Sequence, residues 1–400
     1  MNRLTLATWT SAFFMAAVLF SNTVALRLFL LLMCVSLALL AVVHDRNSIR
    51  VLPPLWLAFG LWAAWAWLSL TWSVEPERSI KELRNEIVYA GLAFWMCYVA
   101  AQARESARVL LPIIGAGVVV LCAVALYNFP LGVRNGERWH GGSGNLSTIV
   151  LTLLPCALMA AWYGHRNAIP GLRNWGIALA ALLLAAAYTT LNRTIWFGIA
   201  FELLLIAGLV ALRDGSVLAP RAKGVGVAAV VLVVASAALM GSHIQAEREE
   251  HDGKLAVAED PRLRLWPEVL EHIKERPLTG YGFGRGVLRE PLRAELNDPL
   301  LWHAHNLFLD TVVQVGLPGL LLLLVLLGAT VREGWRLTRS SDALAAACGI
   351  AVLGVVAGML IRNMTDTLWV RHNALVYWAV LGVLFAWGYR AHAHPGRPAR

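Results

Sequence analysis

"WHAHNLFLDTVVQVGLPG", residues 302–319, marks the point where a long polar stretch gives way to an apolar run reaching residue 331. A run of that length is long enough to cross a bilayer as a helix. Within it Asn306, Asp310 and Gln314 recur at i, i+4 and i+8, so they form one polar stripe on an otherwise apolar helix. Such a stripe is costly against lipid and has to face the bundle interior or a watery cavity. Two histidines, His303 and His305, stand at the head of this helix. The stretch therefore reads as the mouth of a membrane helix with a polar interior behind it.

Working outward, the remaining sequence predicts an all-α polytopic membrane protein. The chain is 58% hydrophobic with a mean hydropathy of +0.62, against about 45–50% apolar residues in an ordinary soluble domain. About twelve spans are expected, near 8–26, 28–43, 53–72, 86–103, 107–129, 146–163, 175–191, 194–212, 223–241, 306–331, 343–362 and 373–389. The first two follow so closely that they read as a hairpin rather than a cleaved leader. The five cysteines all lie in apolar runs with no paired or metal-ligand spacing, and they read as small buried hydrophobes.

The net charge of +9 follows topology rather than nucleic-acid binding. With the N-terminus inside, sixteen basic residues fall in inner segments and nine in short outer ones. That bias places both termini in the cytoplasm. It divides the chain into spans one to nine (1–241), a large outer loop (242–305), and spans ten to twelve with a C-terminal tail (306–400). Long ordered loops usually carry function. In this one, "PRLRLWPEVLEHIKERP" (261–277) puts Leu263, Trp266, Val269, Leu270 and Ile273 at helical spacing, so capping amphipathic helices are expected over the membrane face.

The candidate chemistry collects at the outer boundary. Arg193 lies in the tight turn "LNRT" (191–194), while Arg262 and Arg264 open the amphipathic helix. Arg262 is on the face turned towards the membrane, and Arg264 on the solvated side. Arg134 and Arg138, with Lys81 and Arg84, add positive charge on the same side. Guanidinium groups match phosphate oxygens in pairs and stay charged at any working pH, so this face suits a pyrophosphate. A neutral imidazole at His305 can accept a proton from a hydroxyl. His303, two residues earlier, is expected to point elsewhere and ranks second. Asn306 and Asp310 are secondary candidates from the stripe. Glu202, in mid-span, suits a proton path or an arginine partner. Several signatures are absent: there is no DxD pair, HExxH, CxxC, Walker loop or GxSxG elbow. "GYGFGRG" (280–286) lacks the flanking strand and helix of a phosphate-binding loop.

"HNLFLDTVVQVGLPG" (305–319) resembles the His-Asn, nine residues, Gly-x-x-Gly pattern of bacterial O-antigen ligases. "LNRT" is similar to their short arginine turn. "PRLRLWPEVLEHIKERPLTGYGFG" (261–284) is similar to the Arg-x-x-x-Trp helix and following loop of the wider ligase and polymerase superfamily. The resemblance implies a GT-C-like membrane glycosyltransferase, metal-independent and inverting, with no cofactor. Its donor would be a polysaccharide on undecaprenyl diphosphate, and its acceptor lipid A–core at the periplasmic face of the bacterial inner membrane. It further implies Arg193 and Arg262 on the diphosphate and His305 as catalytic base. Membrane lipids are the remaining partners, and no nucleic acid is expected. An O-antigen polymerase or related lipid-linked oligosaccharide transferase is the alternative within the class. A lipid-linked sugar flippase is the alternative outside it, but it should spread its cations through the membrane depth rather than gather them at one face.

Overall fold

A computed structural model of the chain describes residues 2–44, 49–129, 143–190, 192–215, 262–299, 301–367, 369 and 371–393. Among them the regular structure is entirely helical. The elements are α1 (Arg3–Val18), α2 (Val24–His44), α3 (Trp56–Leu68), α4 (Pro76–Leu83), α5 (Tyr89–Ala100), α6 (Ser106–Asn128), α7 (Ser143–Arg166), α8 (Pro170–Tyr188) and α9 (Arg193–Asp214). They continue with α10 (Arg262–Glu275), α11 (Arg289–Leu296), α12 (Leu307–Thr338), α13 (Ala343–Asn363) and α14 (Arg371–Ala393).

Eight of these helices, α2, α6, α7, α8, α9, α12, α13 and α14, are long and apolar enough to cross a membrane. The expected ninth span, 223–241, lies outside the described residues, as does the first part of the large loop, 242–261. Three expected spans take a different form. The first helix ends at Val18, not near residue 26, because Thr23 turns its hydroxyl back onto the Ala17 and Phe20 carbonyls and stops the helix. The third is α3 extended by a 3₁₀ turn, Ser69–Trp72. The fourth begins earlier than residue 86: α4 runs through a π-turn, Arg84–Val88, into α5, so Lys81 and Arg84 sit on helix rather than loop.

The bundle is organised around α13, which packs against α7, α9, α12 and α14 and has most of its surface buried. Its sequence, "ALAAACGIAVLGVVAGMLIRN", explains why. Small residues let neighbouring backbones approach closely where the lipid supplies no hydrophobic drive between helices. Gly349 lies against the Gly334 carbonyl of α12 and Gly354 against Pro155 of α7. Gly358 lies against the carboxyl group of Glu202 on α9. Large apolar side chains are instead exposed on outer helices, among them Phe29, Leu32 and Val43 on α2 and Leu212 on α9. Their natural solvent is acyl chain.

The decisive local feature is the break in α12. Gly316 takes φ 71° and ψ 179° in mid-helix, followed by Pro318. A side chain at Gly316 would run into the Leu278 carbonyl, so glycine is required by both φ and space. The freed backbone groups are satisfied by "GYGFGRG". Tyr281 N–H donates to the Val313 carbonyl (2.8 Å), Gly282 N–H to that of Gln314 (2.9 Å), and Gly284 N–H to the Gln314 side chain (2.8 Å). Leu317 N–H donates to the Pro277 carbonyl (2.8 Å), and the Trp65 indole of α3 reaches the Val315 carbonyl (2.8 Å). The glycine-rich segment is thus a backbone clasp on the broken helix, in agreement with its lack of phosphate-loop context.

Candidate active site

Above the clasp, α10 lies across the end of α12. Its buried stripe is Leu265 and Val269, joined by half-buried Trp266 and Ile273. Leu263 and Leu270, expected on that face, are exposed. They are seven residues apart and form a second stripe that α12 does not cover. Trp266 donates its indole N–H to the Ala304 carbonyl (3.0 Å), fixing the amphipathic helix to the histidine turn.

That turn is not helical, which overturns the expectation that His303 and His305 point apart. His305 adopts φ 48°, and its amide lies 3.0 Å from His303 Nδ1. The chain folds back so that the two rings stack at 3.8 Å between centroids. Asn306 then caps α12, its side-chain oxygen accepting from the Phe308 and Leu309 amides while its amide group donates to the Met364 carbonyl (3.0 Å). One turn into the helix, Asp310 reaches back to the Ala304 amide (2.8 Å) and to His303 Nδ1 (3.1 Å), and Thr367 donates its hydroxyl to the same carboxylate. Asn306, Asp310 and Gln314 are all buried, so the polar stripe faces protein as expected.

The two histidines differ in access. His303 is only 4% exposed. Burial depresses its basicity, and although the Asp310 carboxylate opposes that, the net direction is down. His305 is half-buried, and its Nδ1 lies 3.4 Å from Asp366. Asp366 in turn lies 3.6 Å from Arg362, which ends α13. Burial alone would raise the Asp366 carboxyl, but the hydrogen bond from His305 and the Arg362 charge outweigh it. They hold the group well below the usual carboxylate range. Arg362 also donates to Thr365 (3.1 Å).

Of the other predicted residues, Arg262 joins this centre by donating to the Thr365 carbonyl (2.7 Å). Arg264 does not; it is exposed and binds the Leu296 carbonyl of α11 (3.0 Å). Arg193 is the first residue of α9, whose Gly198 lies against Gly358 of α13. At 1.5 Å rise per residue, the start of α9 is therefore about 7.5 Å further along, level with the end of α13 beside Arg362. The Arg193 side chain, Arg134 and Arg138 lie outside the described residues. Glu202 is fully buried, and among the described residues no arginine pairs with it.

Asp366 and Arg362 were not singled out by sequence reasoning. The available signal was "RNMTD" (362–366): an arginine and an aspartate four apart at the end of an apolar span. The ring nitrogens of His303 and His305 and the Asp366 carboxylate lie within 4.8 Å of one another, a donor set that chemically suits a divalent cation. Arg362, however, already lies against that carboxylate, with Arg262 on the neighbouring carbonyl. A cation there would meet two fixed positive charges.

The comparisons with known proteins converge on these elements. The family model described as O-Antigen ligase matches residues 178–324, from α8 through the clasp and histidine turn into α12. An O-antigen ligase of Pseudomonas aeruginosa is 28% identical over 372 residues, 90% of this chain and 84% of that protein. One from Salmonella typhimurium is 27% identical over 203 residues, 47% of this chain and 46% of that protein. Motif, family model and near-full-length relative agree in what this chain is similar to: the O-antigen ligases, along most of its length.

Proposed function

We propose that the protein is a metal-independent, inverting glycosyltransferase that moves a polysaccharide from undecaprenyl diphosphate to a sugar hydroxyl of lipid A–core. It would act at the periplasmic face of the bacterial inner membrane, within a GT-C-like bundle of twelve spans. The observation that carries the reading is the contact series Arg362–Asp366–His305. A fixed carboxylate on Nδ1 sets the tautomer and leaves Nε2 free to accept a proton. An arginine holds the carboxylate so that it can stabilise the imidazolium that forms.

In the reaction, the acceptor hydroxyl gives its proton to His305 Nε2 as its oxygen bonds to the anomeric carbon. The bond from that carbon to the diphosphate oxygen breaks on the opposite face, and the diphosphate leaves with the electron pair. Arg262, with Arg193 at the head of α9, stabilises the charge growing on it. Diphosphate is a good leaving group, so paired guanidinium groups can replace a metal. His303, buried and stacked on His305, holds the ring in place through Asp310.

The test is transfer to purified lipid A–core in nanodiscs, read as a gel shift, with EDTA present. Wild type is expected to shift the acceptor and His305→Ala to lose at least about a hundredfold of the rate. An active His305→Ala protein would remove His305 from the chemistry. A wild type that binds donor without transferring it to the acceptor would favour the polymerase or flippase readings.

A further inference from the structure

A second polar feature lies beside the histidine turn. Three separate parts of the chain, α4, the segment leading into α11, and the start of α14, enclose a cleft of about 850 Å³. Arg78, Lys81, Arg285, Arg289 and Arg371 line it with the indole of Trp302. Three acids, Glu75, Glu77 and Glu82, share it, and two are engaged: Glu75 with Arg78 at 3.0 Å and Glu82 with Arg371 at 4.0 Å. Among the described residues, Arg285 and Arg289 form no ion pair within 4 Å, although Arg285 lies near buried Glu86 and donates to the Thr367 carbonyl (2.9 Å). They lie against Trp302, at 5.4 and 4.2 Å from its ring centre. Arg289 keeps a buried Nε without a hydrogen-bond partner. Its charge is disfavoured first by burial and then by Arg78 and Arg293, with Arg285 adding to this and Glu290 opposing it; the net direction is down. Cations held together in this way are stabilised by an anion that brings several acceptor oxygens.

The position of the cleft says which substrate it serves. Trp302 meets His303 edge-on at 4.4 Å, His303 stacks on His305, and His305 leads to Asp366 and Arg362. Arg262 holds the Thr365 carbonyl and Arg285 of the cleft holds the Thr367 carbonyl (2.9 Å), so the two meet the histidine centre through different residues of one turn. In an inverting displacement the nucleophile and the leaving group occupy opposite faces of the anomeric carbon. The cleft is lined by residues other than the diphosphate arginines and touches the histidine pair through Trp302, which suits it to the acceptor. Its volume is that of a site for a small charged sugar unit rather than a polymer.

We infer that this cleft binds a phosphate substituent on the sugar head of the acceptor glycolipid and so aligns its hydroxyl with His305. The inference rests on the transferase reading above and assigns Arg285, Arg289 and Lys81 to acceptor recognition. Arg78 also donates to the Gly286 carbonyl, which ties α4 to the segment that carries Arg285.

The test uses full-length protein in phosphatidylcholine nanodiscs and two readouts: direct binding of lipid A–core without donor, and the KM for acceptor and donor during transfer. The acceptor is supplied intact or phosphatase-treated. The variant is Lys81→Gln with Arg289→Gln, and the control is Arg332→Gln, a highly exposed arginine at the other end of α12. Thermal melts show whether each protein is folded. We expect the double variant to weaken intact acceptor about tenfold or more, the equivalent of losing one charge-assisted contact, with donor KM unchanged. Phosphatase treatment should weaken wild type similarly and the variant little further.

Equal binding of treated and untreated acceptor by wild type would overturn the inference. So would a loss confined to the donor, or competition by phosphatidylglycerol as strong as that by intact acceptor, which would make the cleft a phospholipid headgroup site. Phosphate-dependent binding without any transfer would support the cleft and sink the transferase reading. Transfer that is indifferent to phosphate would do the reverse.

Discussion

Asp366 sits between two opposite demands. Burial favours its neutral form, while His305 and Arg362 favour the charge and win. A carboxylate with a depressed native value contributes its stability fully above the ordinary aspartate value, about 3.9, and loses it only as pH falls through the native value. Asp366→Asn is therefore expected to melt lower than wild type by a constant margin from pH 5 to 8, with the gap closing below about pH 4. In transfer assays it should lower kcat about a hundredfold or more with little change in donor KM, since it acts through His305 rather than on the sugar. An unchanged kcat would make Asp366 a purely structural partner of Arg362. The histidine and Arg262 were legible in the sequence because a motif and a helical spacing carry them. Asp366 was not, because a contact across 61 residues of sequence leaves no local period to read. His303 was placed wrongly for a related reason: a two-residue spacing was read on a helix, whereas the positive φ of His305 folds the turn back.

At the scale of elements, the break in α12 joins the membrane part to the cap. The polar stripe predicted an interior face, and it is present: Asn306, Asp310 and Gln314 are buried. What the sequence did not show is the neighbour at the break: the Pro277–Gly284 segment supplies main-chain donors and acceptors, and main-chain pairing is nearly independent of side-chain identity. Gly316→Ala should cost at least about 2 kcal/mol, from strain at positive φ and from the clash with the Leu278 carbonyl. A thermal melt in detergent checks this. A melting point equal to wild type would mean that α12 can straighten past the clasp. The amphipathic helix was likewise legible as a helix but not in its packing face, because Leu263 and Leu270 stay exposed while Leu265 and Val269 are buried.

For the whole molecule, length and hydropathy announced the helical bundle, and the small-residue sequence of α13 accounts for its central place. The orientation predicted from the basic residues has a direct check. All five native cysteines are free, four of them buried and Cys156 half-buried, so the background for thiol labelling is low. A cysteine at the exposed position Ala294, on α11 beside the site, should react with an impermeant maleimide in spheroplasts. One at exposed Ser341, at the opposite end, should react only after the membrane is opened. The reverse pattern would turn the site to the cytoplasm and remove the periplasmic assignment. The clasp has one more consequence, for exchange of parts between relatives. Because its rungs fix the register between residues 277–284 and 313–317, and Trp266 fixes α10 to the same turn, the stretch from α10 to Gly319 behaves as a single cassette. A hybrid that imports the histidine turn alone would inherit a mismatched joint, whereas one that moves the entire cassette would carry its own alignment with it.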